Sequence, residues 1–514
     1  MEVKKQILKL CIEKGFLIDK EILELLILFK ESFSFKLINK LSEIKVKERV
    51  ITRNIILENN ETLKGVFQDD EEKEHLKSFF DSLNFSLKDF TKKDGFQEDI
   101  KIISSIGFGS KKIKVEDFVN HFKNRYNQIK EIIEQKDIND LKSIRRIGSS
   151  GESQNIIVMI YDKKVTKNKN IIFDVEDITG KTKILVNINK KELYNKCKNI
   201  LPDEVVCFNV SGNREILFAN DVVFPDCFLD KKESLEEDVY IAFSSDIHIG
   251  SKMFLEKPFL RFIQWINGKY GNEEEKSIAK RIKYLFLIGD NIDGVGVFPE
   301  QEGLLVIPGV LEQYKKLEEY LKMIRKDVKI IISPGQHDAV WVGEPQHSLS
   351  RNWAPGILEM ENVLTTPNPC LIEIGGKIKI LTYHGASFHG IVNQIPDIRI
   401  KHGHNSPTTV IKELLKNRHL APVHGECDYI PTEKGDCMVI DIVPDIIVTG
   451  DWHKPEVSEY NNIQLITSSC WQAITPFGEK VGKNPDPCKV PVLNLKTREV
   501  KILNFFKEDE NDGK

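Results

Sequence analysis

The chain has 514 residues, enough for about three domains at roughly 100–200 residues each. Its 74 Lys and Arg stand against 78 Asp and Glu, a net charge of −4, which excludes nucleic-acid binding through bulk positive charge. Nine cysteines without a C-x-x-C pair argue against a disulfide framework or a cysteine zinc site and fit a reducing cytoplasm; the apolar runs fall far short of the ~20 residues of a membrane span, and Met1-Glu2-Val3-Lys4-Lys5 lacks the layout of a signal peptide.

In chain order, residues 1–45 read as a small helical module, with Ile22, Leu25, Leu26 and Phe29 at helical spacing. Residues 46–114 read as a partly disordered linker with partial helix, containing the charge run Asp69–Glu74 and the breakers Lys92-Lys93-Asp94-Gly95. Over 115–147 an amphipathic helix aligns Phe118, Phe122, Tyr126, Ile129 and Ile133 on one face, for core packing or a partner. Gly148-Ser149-Ser150-Gly151 marks a boundary. Within 152–230, strand, D-x-T-G turn and strand resemble the first hairpins of an OB-fold, a β-barrel. It shows few aromatics for stacking bases, so a docking role is favoured over single-strand binding. Residues 238–506 alternate short strands with helical patterns, an α/β domain, and 507–514 form a frayed acidic tail.

Ten of the 12 histidines lie between His248 and His453. Five apolar strands there end in chemistry-bearing residues: Asp246-Ile247-His248, Gly289-Asp290-Asn291-Ile292-Asp293, Gly335-Gln336-His337-Asp338, His384-Gly385 and Gly450-Asp451-Trp452-His453. In open α/β sheets, sites form beyond the carboxyl ends of strands. Carboxylates and imidazoles suit Mn, Fe or Zn, and two such ions sharing a carboxylate can activate hydroxide for phosphoryl displacement. Any one of these histidines alone would more often be structural; five clusters at strand ends are not a chance pattern.

The order D-x-H, G-D-x-x-D, G-Q-H-D, lone H and G-D-x-H resembles the calcineurin-like metallophosphoesterase superfamily, a β-sandwich flanked by helices. Phe298-Pro299-Glu300-Gln301-Glu302, Pro345-Gln346 and Arg418-His419-Leu420-Ala421-Pro422 are similar to one branch, the small subunits of archaeal family D DNA polymerases. That resemblance implies a 3′–5′ DNA exonuclease, often Mn²⁺-dependent with Mg²⁺ the alternative, that proofreads for a large catalytic subunit. It implies Asp246, His248 and His453 as ligands of a first metal, Asp290 as the bridge, and His384 on a second metal. It also implies His337 as the residue that protonates the leaving oxygen or steadies the transition state, Asp338 as its orienter, and Asn291 and Asp293 as supports. Gln336 stands where the superfamily has Asn, and Asp451 where it has His; both positions serve the second metal there, which points to re-tuning toward Mn²⁺ or Mg²⁺ and away from Zn²⁺, or else to a weakened second site and a slow or silent nuclease.

Other residues give weaker signals. Trp341 could stack on a terminal base or be a partly buried loop aromatic, the commoner case, and Arg418 could be structural or contact phosphate; the sequence does not separate these. His402-Gly403-His404, His389, His419 and His424 read as loop histidines, His347 as loop or support. Residues 499–506 match a sliding-clamp peptide loosely, but a closing β-hairpin fits better. The rival readings of the whole are a non-enzymatic polymerase scaffold and a free-standing metallophosphodiesterase.

Overall fold

The computed structural model describes residues 2–19, 31–43, 50–52, 99–103, 113–148, 151–403, 405–432, 435–480, 482 and 484–507, with isolated positions between 22 and 79. Two compact units divide the chain, Met1–Asp94 and Gly95–Lys514.

The first unit pairs helices Glu2–Glu13 and Glu31–Glu43 with two parallel strands, β1 (Leu17–Ile18) and β2 (Val50–Ile51). Ile7, Cys11, Leu37 and Leu41 are buried, and so are Ile56, Leu63, Phe67 and Phe79. This corrects the linker reading: residues well past 45 carry core, spaced helically but diluted among charged neighbours that flatten the periodicity. Leu25, Phe29, the breaker cluster and all of the charge run except Lys73 lie outside the described residues, as does 508–514.

The second unit opens with β3 (Ile100–Ile102), also inside the region read as linker; three residues are too short to show alternation. The helix Val115–Glu134 follows. Tyr126, Ile129 and Ile133 pack against Ile157, Met159, Val205 and Cys207, so the apolar stripe is core. On the same helix, Arg125 is buried and reaches Asp436 with its Nε at 2.7 Å.

β4 (Gln154–Val165), β5 (Ile171–Asp177), β6 (Gly180–Val186), β7 (Val205–Gly212) and β8 (Leu217–Val223) close a barrel in the order β4-β5-β6-β8-β7. This is the OB-like module. Its predicted turn is made by Asp177, whose Oδ1 accepts from the backbone N–H of Thr179 at 2.7 Å and of Gly180 at 2.9 Å.

Glu204, at the barrel's edge, is buried; its Oε1 accepts from Asn417 at 2.6 Å and its Oε2 has no hydrogen-bond partner among the described residues. Burial pushes its carboxyl up to about 8. A raised carboxyl stabilises the fold while protonated, so stability is full below the ordinary value of 4.5 and is lost as pH rises toward 8. Glu204→Gln is expected to flatten that decline, raising the melting temperature at pH 8.5 while changing little at pH 5. Parallel declines in variant and wild type would show that Glu204 is not the titrating group.

The remaining strands build a sandwich. They are β9 (Tyr240–Ser244), β10 (Ile282–Ile288), β11 (Lys329–Ser333), β12 (Val363–Thr365), β13 (Cys370–Ile374), β14 (Ile378–Tyr383), β15 (Ile446–Thr449), β16 (Glu456–Tyr460), β17 (Ile463–Thr467), β18 (Lys489–Asn494) and β19 (Val500–Asn504). One six-stranded sheet runs β12-β11-β10-β9-β18-β19, the other β16-β17-β15-β14-β13-β3. Period-two alternation makes each strand serve two layers. On β10, Tyr284, Phe286 and Ile288 enter the core between the sheets, with Phe243, Ile380 and Val448; Leu285 and Leu287 face the outer helices. The result is an α/β sandwich of two six-stranded sheets flanked by helices on both faces.

β18 and β19 form the predicted closing hairpin, and Phe505 is buried in the helical layer. That burial removes the clamp-peptide reading of 499–506, because its aromatic anchor is committed to the core. No described helix is long and apolar enough to cross a membrane.

Candidate metal centre

Parallel strands β9, β10 and β11 in one sheet and β14 and β15 in the other end where the five predicted segments begin. The turns that follow are strained. Asp246, His248, Asp290, Asp451 and His453 all have left-handed backbones, with φ of 50°, 54°, 48°, 60° and 57°. For non-glycine residues each such turn costs about 1–3 kcal/mol and persists where surrounding structure enforces it, typically at functional sites.

Asp246, His248 and His453 converge: His453 Nε2 lies 3.1 Å from Asp246 Oδ1, and the Nε2 atoms of His248 and His453 face each other at 3.3 Å. Asp246, Asp290 and His384 form a second group and His248, Asp293 and His337 a third, each with candidate ligand atoms within 4.8 Å of one another. His384 Nε2 is 3.3 Å from Asp290 Oδ2, without hydrogen-bond geometry. Its Nδ1 lies 2.9 Å from the Ile288 carbonyl; a proton there leaves the Nε2 lone pair facing inward. Two glycines make this approach possible. A Cβ on Gly289 would sit 2.1 Å from His384 Nδ1, and one on Gly335 would sit 2.2 Å from Asp290 Oδ1.

Burial works to raise both aspartates, but neighbouring imidazoles outweigh it. His453 holds Asp246 below the usual carboxylate range, and His384 and His337 hold Asp290 well below it. Burial works against charge on His384, and the Asp290 carboxylate overrides this, raising it well above an ordinary histidine.

Divalent cations fit these atoms. Asp246 Oδ1, His384 Nε2 and Asp451 Oδ2 are buried without a hydrogen-bond partner among the described residues. Unpaired buried polar atoms are costly. Asp246 and His384 sit with Asp290 in one carboxylate–imidazole set, of the kind that Mn²⁺, Fe²⁺ or Zn²⁺ take; Asp451 lies in none of the three groups.

His248 Nδ1 lies 3.1 Å from Asp293 Oδ1, without hydrogen-bond geometry. Gln472 and Gln301 donate to the two Asp293 oxygens, each at 3.1 Å; neither role was predicted, because single glutamines far apart in sequence carry no spacing signal. Asn368 Oδ1 accepts from the His384 backbone at 2.8 Å, and Asn368 also donates to buried Glu344, which burial pushes up to about 7.

The predicted role of Asp338 needs correction. Its oxygens accept from Tyr314 at 2.9 Å and from Gly335 and Asn291, so it pins the loop and does not touch the His337 ring. Burial, followed by repulsion from Asp290, pushes its carboxyl up to about 6. The His337 ring is held instead by the Asp293 carbonyl, 2.7 Å from Nδ1. Sequence pattern could not reveal a backbone acceptor.

Arg418 is likewise corrected. It is buried, donates to the carbonyls of Ile440 at 3.0 Å and Asp226 at 3.3 Å, and is therefore a structural tie, not a phosphate contact. His419 is buried against Asp436 at 2.8 Å. Trp341 is 43% exposed, with its ring edge-on to His347. Gln336 is half-buried and makes no hydrogen bond among the described residues. His402 is exposed and His404 lies outside the described residues.

Residues 241–458 match the family model for the B-subunit of DNA polymerase alpha/epsilon. The DNA polymerase II small subunit of Pyrococcus furiosus is 34% identical over 439 residues, covering 84% of this chain and 69% of that one. That of Pyrococcus abyssi is 36% identical over 76% of this chain, which spans 64% of its length. That of Methanothermobacter thermautotrophicus is 33% identical, over 76% of this chain and 80% of its own. Among solved structures, an archaeal phosphodiesterase aligns at 15% identity over 52% of this chain and 99% of its own, with a TM-score of 0.25. From the identity and coverage of its relatives, the chain belongs to the family of archaeal DNA polymerase II small subunits.

Proposed function

We propose that the chain is a 3′–5′ DNA exonuclease, the proofreading subunit of a two-subunit archaeal replicative polymerase. The convergence of Asp246, Asp290 and His384, with buried and unsatisfied atoms on Asp246 and His384, supports this reading. A pure scaffold gains nothing from keeping such a costly set.

In this reading Asp246, His248 and His453 would hold one divalent ion, and His384 with Gln336 and Asp451 the second, with Asp290 between them. Bound Mn²⁺, with Mg²⁺ the alternative, would supply an activated hydroxide and offset charge on the phosphoryl oxygens. The residues do the rest. The Asp293 carbonyl accepts from His337 Nδ1 and fixes the ring; with a second proton taken from solvent on Nε2, the imidazolium gives that proton to the leaving 3′ oxygen and returns to the neutral form. Trp341 offers a face for the terminal base. The acidic site and the net charge of −4 leave the duplex to a more basic partner, the large catalytic subunit.

The test is purified chain with Mn²⁺ on 3′-labelled single-stranded and mismatched-primer DNA, beside a His337→Ala control. Ladder products lost in the control are expected. Release from a simple phosphodiester without DNA cleavage would instead mean a free-standing phosphodiesterase, and silence on both substrates a scaffold.

The departures at Gln336 and Asp451 carry their own expectation. A charged oxygen in place of imidazole nitrogen favours harder cations. Asp451→His and Gln336→Asn are expected to move metal preference toward Zn²⁺ by about tenfold or more, read by competitive titration against Mn²⁺. Unchanged preference and rate in both variants would sink the re-tuning idea.

A further inference from the structure

Glu344 follows His337 by seven residues and belongs to none of the five strand-end segments. Its carboxyl is buried, and among the described residues it accepts from neutral groups only. A buried carboxylate without a cation beside it is costly, so its hydrogen bonds must account for its place. Asn368 Nδ2 donates to Oε1 at 3.2 Å, and the Tyr383 hydroxyl donates to Oε2 at 2.8 Å. Both donors lie one step from His384. Asn368 Oδ1 accepts the His384 backbone N–H at 2.8 Å, and Tyr383 is the residue before it.

The arrangement is rigid at each joint. The Glu344 N–H donates to the Asp428 carbonyl at 2.9 Å, and the Glu344 carbonyl accepts from Ile430 at 2.7 Å. Tyr429, between those two residues, stacks on His121 of the helix Val115–Glu134 with ring centroids 4.9 Å apart. Asn368 and Gln346 exchange two backbone hydrogen bonds, of 2.7 Å and 3.0 Å. Asn368 Nδ2 also donates to Gln346 Oε1 at 2.9 Å. With both Nδ2 hydrogens committed, the amide is oriented so that its oxygen faces His384. The ring of His384 is held separately, by the Ile288 carbonyl at Nδ1.

We propose that Glu344 is a positioning residue for the ion at His384, acting through Asn368 to fix the main chain that aims the His384 Nε2 toward Asp246 and Asp290. This proposal rests on the metal-centre reading above. It also ties the far end of the loop that carries Gln336 and His337 to the strand end that carries His384. Partners behind a metal ligand orient it, and removing one typically costs about 10–100-fold in metal affinity.

The experiment is calorimetric titration of the full chain with Mn²⁺, with the melting temperature of the metal-free chain measured alongside. Wild type is expected to bind in two steps, and His384→Ala marks which step belongs to His384. Glu344→Gln sets an N–H against the Asn368 amide, and Asn368→Asp sets a second carboxylate against Glu344. Each is expected to weaken the marked step about 10–100-fold and leave the other unchanged. The double variant exchanges donor and acceptor. The new amide at 344 donates to the new carboxylate at 368, whose other oxygen still accepts the His384 N–H. It is expected to bind the ion more tightly than either single variant. Losses that add in the double variant would overturn the proposal, because packing alone adds. An unchanged marked step in Glu344→Gln would overturn it, whether or not the melting temperature falls, and so would equal weakening of both steps. A wild type that binds no Mn²⁺ would overturn the metal-centre reading itself, a result distinct from the others.

Discussion

Replacing His337 with alanine is expected to lower 3′–5′ hydrolysis by about 10²–10⁴-fold, the usual range for a positioned acid–base group. The effect should fall on kcat, with Mn²⁺ binding and melting temperature nearly unchanged. The geometry gives the reason. The ring is 18% exposed, its Nδ1 is held by the Asp293 carbonyl, and its Nε2 lies 3.9 Å from Asp290 Oδ2. It stands edge-on to His248, 4.7 Å between centroids, so it borders the ligand set. Alanine removes the proton carrier and leaves Asp246, His248, Asp290 and His384 where they are. Asp338→Asn supplies the contrast. Because Asp338 pins the loop and makes no contact with the ring, its loss should cost stability before it costs rate. A His337→Ala enzyme that cleaves at the wild-type rate would remove His337 from the chemistry.

Asp436→Ala should produce the largest loss of stability, about 3–5 kcal/mol, the range for breaking a buried pair on one side. Asp436 Oδ2 accepts from Arg125 Nε at 2.7 Å and lies 2.8 Å from His419 Nε2 and 3.2 Å from His121 Nε2. All four residues are buried. Burial, then the Arg125 charge, pushes His419 down to about 4, and burial also lowers His121, so the network at neutral pH is a guanidinium, a carboxylate and two neutral imidazoles. Burial works to raise Asp436, but His419 and Arg125 hold it well below the ordinary range. A depressed carboxyl stabilises above its unfolded value of 3.8, and that contribution is lost as pH falls below it. Removing the carboxylate strands Arg125, which ties the helix Val115–Glu134 to the sandwich domain through Asp436 and the Pro422 carbonyl, 2.6 Å away. Thermal unfolding at neutral pH should therefore shift by roughly 10 °C, and the variant should lack the wild type's extra acid lability below pH 4. A shift under 2 °C would mean that the network carries little of the fold.

The strand-end clusters, the barrel with its Asp177 turn and the closing hairpin were legible because each rests on local pattern: alternation, a turn residue, a ligand next to a strand. The helical stripe Tyr126, Ile129 and Ile133 was legible for the same reason. The core role of Ile56, Leu63, Phe67 and Phe79 was not, since charges between them mask the period, and β3 is too short to register. Among site residues, chain pattern reached Asp246, His248, Asp290, His337, His384 and His453, all within a few residues of an apolar strand.

What the sequence could not determine were relations across long separations or through the backbone. Asp293's carbonyl, not Asp338, holds His337; Gln301 and Gln472 brace Asp293; Arg418 is spent on carbonyls. His389 meets Asp451 only because β14 and β15 run side by side and deliver their following turns to one edge. Sequence by itself determined which side chains could bind metal and the family to which they belong, because ligand chemistry and strand periodicity are local properties. Tertiary structure alone decided which of them meet and which are tied elsewhere, because hydrogen bonding and burial depend on distances that chain order does not contain.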